Sequence, residues 1–291
     1  MNRNEKSPFC FREVYQDQRS FLELEVSRWV YSRETSFQKI DIFDTVSHGR
    51  VLALDGIVQT MERWEFMYHE MIAHVPLQIC ERPKHVLVIG GGDGGTIREA
   101  LKHPSVESAV LCEIDRDVVE AAKTYLPTLS HALSDPRVSC VFEDGVAYLK
   151  GSSQTWDAIL IDSTDPTAGE GGHLFTDAFY ALCRERLVPG GVCVAQTENP
   201  IYDREWMRTA YRRIAAAFPT AGIYLGFSPQ YPSGFWTYSI GYRSQDGQNK
   251  PDFYQLSPEA VRRIPPHLRY YTSDIHSAAF QIPPFLSDYL A

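Results

Sequence analysis

The segment Val86-Leu-Val-Ile-Gly-Gly-Gly-Asp-Gly-Gly95 constrains this chain more than any other. Four apolar residues in a row read as a strand buried on both faces. Glycine lets the backbone behind them turn sharply and approach a ligand closely, and Thr96 to Lys102 continues as a helix. A buried strand feeding a helix through glycines is the opening unit of a doubly wound α/β sheet, where ligands bind beyond the carboxyl ends of strands. Taken alone, the loop is also consistent with a tight strand–helix turn and no ligand.

The unit repeats. Strands are predicted at Ala109–Cys112, Val138–Phe142, Trp156–Ile161 and Gly191–Ala195, with helices at Asp117–Thr124, from Gly145 to Leu149, at Asp177–Leu187 and at Glu205–Phe218. Strands near Ala221–Gly226 and Phe235–Tyr242 close the sheet, which is mostly parallel and covered on both faces. The first third reads differently. Phe21–Val30 and Lys39–Phe43 alternate apolar and polar residues, Arg50–Leu54 is a short apolar run, and Asp55-Gly56 is a hairpin turn signal. A helix over Glu62–Val75 follows, with Phe66, Met67, Met71, Ile72 and Val75 on its apolar face. The predicted organisation is a small antiparallel β-hairpin domain, residues 1–60, and an α/β catalytic domain, residues 61–291. Pro265-Pro266 and Pro283-Pro284 limit the tail from Pro258 to a short helix and an irregular closing segment.

Acids recur at the predicted strand ends. Glu113 ends the second strand in Cys112-Glu-Ile-Asp115, where a carboxylate can accept both hydroxyls of a ribose. Asp144 follows the third strand, placed to accept an adenine amino group or simply to cap the next helix. With the glycine loop, this register of acids points to an adenosyl group. Asp93 within the loop would repel a pyrophosphate, and no P-loop Lys-Ser/Thr is present, so a cationic cosubstrate such as a sulfonium fits better. The fourth strand ends in Asp162-Ser-Thr-Asp165-Pro. An Asx turn or a helix cap is the structural alternative there. Two carboxylates also suit an amine nucleophile, which arrives protonated near neutral pH and must lose a proton before it can attack.

Charge and cysteine use narrow the classes. A formal net charge of −9 disfavours a nucleic-acid partner. No apolar run approaches the roughly 20 residues needed to span a bilayer, and Met1–Arg12 lacks an apolar signal core, so the chain is expected to be cytoplasmic without a membrane partner. Cys112, Cys140 and Cys193 lie in apolar runs and are expected to be buried thiols. No His/Cys cluster has metal-ligand spacing.

Together, Ile89–Gly95, Cys112–Asp115, Asp144-Gly145, Asp162–Pro166, Leu54–Thr60, Tyr68-His-Glu-Met71, Gln196, Tyr231-Pro-Ser-Gly234, Arg269-Tyr-Tyr271 and Ile275–Phe280 resemble the spermidine synthase family, over nearly the whole chain from Phe21 to Leu286. The resemblance implies a Rossmann-like, methyltransferase-type domain behind a small N-terminal antiparallel β domain, assembled as a homodimer or homotetramer. It implies transfer of the aminopropyl group of decarboxylated S-adenosylmethionine to a small-molecule amine, putrescine, without a prosthetic group or metal. It assigns Gln38, Gly91, Asp93, Glu113, Asp144 and Gly145 to the cosubstrate. His69, Asp93, Ser163, Thr164, Asp165, Gln196 and Tyr231 fall to the polyamine, with Asp162 as proton acceptor and Tyr68 beside it.

Two places depart from the family pattern. The usual proline after Asp-Pro falls on Gly169 in Thr167–Phe175, and Trp64 stands where most members carry an acid. These keep other acceptors open: cadaverine, agmatine or spermidine. Amine N-methylation is a rival on the same scaffold, opposed by the retained Asp93. A non-catalytic polyamine-binding relative is opposed by Asp162, Asp165 and Tyr68.

Overall fold

The alternating N-terminal segments become a five-stranded antiparallel sheet, β1 (Cys10–Val14), β2 (Phe21–Glu34), β3 (Lys39–Thr45), β4 (Arg50–Leu54) and β5 (Ile57–Met61), paired in chain order. These coordinates are a computed structural model that describes residues 9–15, 19–164, 174–244 and 250–290. Asp55 and Gly56 both take positive φ, 50° and 79°, as the two central residues of a tight β4–β5 hairpin require. Strand β1 is absent from the sequence expectation. It is short and buries only alternate residues, so it resembles polar coil.

Both faces of this sheet are used. Phe43, Val51, Ala53 and Val58 pack under Phe11 and Leu24 on one side. On the other, Ile40, Ile42, Leu52 and Leu54 meet Val118, Ala121, Ala122 and Leu126, mostly from α3 (Arg116–Tyr125). Polar contacts fix the same junction: Thr35 Oγ1 and Gln38 Nε2 donate to Asp115 Oδ2 at 2.8 and 3.1 Å. Asp115 itself caps α3 by accepting from the Asp117 N–H.

The second sheet contains β6 (His85–Gly90), β7 (Ser108–Cys112), β8 (Val138–Val141), β9 (Trp156–Asp162), β10 (Leu187–Gln196), β11 (Thr220–Phe227) and β12 (Phe235–Tyr242). Their spatial order is β11-β12-β10-β9-β6-β7-β8. The five strands from β10 to β8 run parallel, and β12 is antiparallel to both its neighbours. This is the Rossmann-like arrangement expected. The chain winds outward from β6 through β7 to β8 and then returns to β9 on the other side of β6. The β6–β9 gap is therefore the topological switch point, where a crevice opens. Cys112 and Cys193 are buried as expected, whereas Cys140, on the outermost strand, is only partly covered.

Helix α1 (Phe66–Ile79) starts later and ends later than expected, because Glu62–Glu65 form a turn and Pro76 is accommodated inside the helix. It has no solvent face: all its residues but Met67 and Ile79 are buried. Buried polar side chains need partners, and Glu70 has three. Glu70 accepts the backbone N–H groups of Arg269, Tyr270 and Tyr271 at 2.9, 2.8 and 2.7 Å. The tail carries three short helices, α8 (Pro258–Arg262), α9 (Ser273–Ala279) and α10 (Pro284–Leu290), where one was expected. The paired prolines permit them: Pro283-Pro284 sits at the start of α10, where a missing N–H costs nothing. Among the described residues no helix is long and apolar enough to cross a membrane.

Glu70→Ala removes the acceptor of three N–H groups, that of Tyr271 buried and those of Arg269 and Tyr270 part-buried. It is expected to destabilise the chain by about 3 kcal/mol in urea unfolding; a loss well under about 1 kcal/mol would show the tail to be held by its apolar contacts instead.

Candidate active site

The carboxyl ends of β9, β6, β7 and β8 line one cavity of about 570 Å³. Every predicted site residue within the described part of the chain borders it, from Gln38 and Tyr68 to Gln196 and Tyr231. Asp165 and the segment 167–173 lie outside the described residues. Trp64 does not border the cavity. Its indole Nε1 donates to His48 Nδ1 at 3.2 Å, within the N-terminal sheet, so this departure from the family pattern falls away from the crevice.

Asp162 sits at the switch point. Gly90 is its register partner across the β6–β9 ladder, and both Gly90 and Gly91 have positive φ, 79° and 69°. A Cβ on Gly91 would stand 2.7 Å from Asp162 Oδ2. Glycine is thus required here twice over, for the backbone conformation and for the space the carboxylate occupies. Two hydroxyls orient that carboxylate: Tyr68 Oη donates to Oδ1 and Thr96 Oγ1 to Oδ2, each at 2.6 Å. Burial raises the Asp162 pKa. His69 opposes the shift, Asp93 adds to it, and the two hydroxyl donors lower it. Burial and the Asp162 charge hold the Tyr68 phenol well above its ordinary value, so it is a neutral donor.

Asp93 turns Oδ1 to the Gly95 N–H at 2.8 Å and Oδ2 toward His69 Nε2 at 3.5 Å. The other ring nitrogen, Nδ1, meets Glu65 Oε2 at 2.6 Å. Burial disfavours the charged ring, but the Asp93 and Glu65 carboxylates outweigh it and raise the His69 pKa to about 10.

Glu113 ends β7 with its Oε1 accepting the Asp115 N–H at 3.0 Å. A Cβ on Gly92 would meet Glu113 Oε2 at 3.0 Å, so this glycine keeps the carboxylate open to the cavity. Burial raises the Glu113 pKa to about 7. Asp144 caps α5 (Gly145–Gly151) by accepting the Ala147 N–H at 2.8 Å, and it also borders the cavity. Capping the helix therefore does not take Asp144 out of the cavity wall. On the far side of Asp162, Tyr231 packs edge-on against Tyr68 at 5.5 Å and donates its hydroxyl to Gln59 O. Gln196 Nε2 donates to Ser163 O at 3.0 Å, tying the ends of β10 and β9 together.

Sequence reasoning missed Thr96, Glu65 and Trp236. Thr96 directly follows the glycine loop, and Glu65 stands four residues before His69, one turn away on a helix. Those spacings were available signals. Trp236 borders the cavity from β12, and nothing in its sequence setting distinguishes it from a core residue.

Comparisons with known proteins agree in direction. The profile of the Spermine/spermidine synthase domain matches residues 65–251, and that of the Spermidine synthase tetramerisation domain matches residues 10–62. The polyamine aminopropyltransferase of Thermotoga maritima is 47% identical over 274 residues, 94% of this chain and 91% of that protein. Its counterpart in Bacillus subtilis is 42% identical over 267 residues, 92% of this chain and 94% of that protein. A crystal structure described as spermidine synthase in complex with the transition state analogue AdoDATO superposes with a TM-score of 0.91 at 46% identity, covering 97% of this chain and 95% of that one.

A carboxyl whose folded pKa exceeds its unfolded value of about 4.3 favours folding most when protonated. For Glu113 that contribution is fully present below about pH 4.3 and is lost as pH rises through about 7. Glu113→Gln cannot ionise. Its stability relative to the parent is expected to rise between about pH 5 and about pH 8, by at most about 3 kcal/mol, in denaturant titrations. A difference that stays flat across that range would contradict the assignment.

Proposed function

Because this chain belongs to the spermine/spermidine synthase family and is a polyamine aminopropyltransferase, we propose that Asp162 is the proton acceptor that frees its amine substrate. The enzyme moves the aminopropyl group of decarboxylated S-adenosylmethionine to putrescine, giving spermidine and 5′-methylthioadenosine. The observation that carries the residue assignment is the meeting of Asp162 with Glu113 and Asp144 on one cavity, an amine-type acid beside two adenosyl-type acids.

The sulfonium of the donor polarises the adjacent methylene carbon. A putrescine ammonium gives one proton to Asp162, and the nitrogen lone pair so released forms the new N–C bond. The C–S bond breaks as it forms, its electron pair passes to sulfur, and the sulfonium becomes a neutral thioether. The enzyme supplies alignment and proton removal. A pKa raised by burial suits Asp162 to the second task, since a base titrating nearer the working pH accepts a proton more effectively. Tyr68 and Thr96 fix the direction of its lone pairs.

Glu113, with Gln38 beyond it, is assigned to the ribose. Asp144 and Gly145 are assigned to adenine, and Gly91 to close backbone approach. Asp93 and His69 line the aminopropyl channel, while Tyr68, Ser163, Thr164, Gln196 and Tyr231 shape the amine site. Asp165 is assigned to the second ammonium on its sequence position alone. We further propose a division of the chain near residue 60, a cytoplasmic location, and a homodimer or homotetramer built through the N-terminal sheet. The match of residues 10–62 to a tetramerisation domain supports the last of these.

Asp162→Asn keeps the shape and both hydroxyl donors but removes the base. It is expected to lower turnover with putrescine by at least about 100-fold while donor binding persists. Mass spectrometry of products from putrescine, cadaverine, agmatine and spermidine checks both points. Near-parental turnover in the variant would sink the assignment, and methylated amine without methylthioadenosine would sink the reaction.

A further inference from the structure

Resting on the reading of Asp162 as proton acceptor, we propose that Glu65 and Arg98 are positioning residues that hold His69 as an imidazolium beside Asp93, and that this buried cation keeps Asp162 ionised and ready to take a proton at neutral pH. The ring geometry carries the case. His69 is almost fully buried, and each of its nitrogens faces a carboxylate: Nδ1 meets Glu65 Oε2 at 2.6 Å and Nε2 meets Asp93 Oδ2 at 3.5 Å. Nδ1 is hydrogen-bonded to Glu65 and Nε2 stands within ion-pair distance of Asp93, a setting that favours the ring with two N–H groups, which is a cation. Gly95 makes room for it, since a Cβ at that position would collide with the imidazole.

Arg98 secures the charge of Glu65 from behind. Its guanidinium forks onto Glu65, Nη1 to Oε1 at 3.0 Å and Nη2 to Oε2 at 2.8 Å, while Nε donates to Glu99 Oε1 at 2.8 Å. Glu99 also takes Lys102 Nζ at 2.6 Å and His74 Nε2 at 3.0 Å. Charges therefore alternate from Asp93 through His69, Glu65, Arg98 and Glu99 to Lys102. A bidentate fork of this kind fixes direction as well as charge. Glu65 is accordingly held down to about 2 against its burial.

What the imidazolium does is set by its other neighbours. Asp162 faces Tyr68 from α1, Thr96 from the helix after the glycine loop, and the carboxylates of Asp93 and Glu113; the phenols of Tyr231 and Tyr238 stand near. Burial and the Asp93 charge push Asp162 toward its neutral form, which could not accept an amine proton. His69 is the one cation among these groups. A neutral network would orient His69 equally well but would remove the positive charge that favours ionised Asp162.

The test uses full-length Glu65→Gln, whose amide still accepts from Nδ1 but carries no charge. Imidazole nitrogen NMR reads the His69 titration, and the pH profile of kcat/KM with putrescine reads Asp162. In the parent His69 is expected to stay protonated to about pH 10. In Glu65→Gln its midpoint is expected to fall by at least about one unit, and the acid limb of kcat/KM to move up by about one unit, a loss of about tenfold on that limb. Arg98→Lys keeps a charge but not the fork. It is expected to shift both readouts the same way by less, and it carries the test if Glu65→Gln does not fold. An unchanged His69 midpoint in the folded variant overturns the proposal, as does an unmoved acid limb when the midpoint has fallen. Asp162→Asn, run alongside, separates the two readings: near-parental transfer there condemns the proton-acceptor role, while the His69 midpoint still judges Glu65 and Arg98.

Discussion

Asp93, Glu113 and Asp162 crowd three carboxyl groups into one largely desolvated cavity, and the surrounding structure is organised around that cost. Like charges in a poorly polarisable space raise one another's pKa and favour protonation. Two consequences follow for a pair of cationic substrates. Arriving positive charge relieves the repulsion, so the three carboxyl groups favour cations. The same repulsion opposes ionisation of Asp162, the proton acceptor proposed above, so the fold must counter it there. It does so with two hydroxyl donors and with His69, all from α1 and from the helix that follows the glycine loop.

The glycine loop serves this arrangement in a way that differs from simple phosphate cradling. Gly91 yields the space that the Asp162 carboxylate occupies, Gly92 yields space to Glu113, and Gly95 yields space to His69. Three of the five missing side chains of the loop correspond in this way to an acid or base of the site, whereas a Cβ on Gly90 would meet the Asp162 backbone and one on Gly94 would meet Leu133 and Ser130. The loop thus acts on the protein's own charged groups, and the ligand contacts proposed for it are made possible by that clearance.

The parallel sheet and the acids at its strand ends were legible because buried parallel strands are short continuous apolar runs and the topology places their carboxyl ends together. Asp162, Glu113, Asp93 and Asp144 were found in this way. Tyr68, His69, Gln38, Gln196 and Tyr231 came through resemblance to a family, since a tyrosine or glutamine in isolation has no distinctive spacing. Strand β1 and the extra tail helices were missed because they are short, and their stability comes from tertiary contacts rather than local pattern. The ends of α1 were misjudged for a related reason. A helix buried all round shows no amphipathic stripe, so its hydrophobic periodicity marks neither its start nor its finish. The Glu65–His69 pair stands one turn apart at the start of α1, but the links from His69 to Asp93 and from Glu65 to Arg98 were out of reach because their members come from different elements.

The grip of Glu70 on the backbone at Arg269–Tyr271 joins positions about 200 residues apart. Until the segment at Arg269–Tyr271 has been synthesised, that side chain lacks these three donors, and α1 cannot be sealed without burying an acceptor short of partners. The helix that carries Tyr68 and His69 is made early but becomes inexpensive to bury only late. Contacts of such sequence separation slow folding, because chain entropy must be lost before they form. The final setting of Tyr68 and His69 is thereby tied to the docking of the distant Arg269–Tyr271 segment against α1.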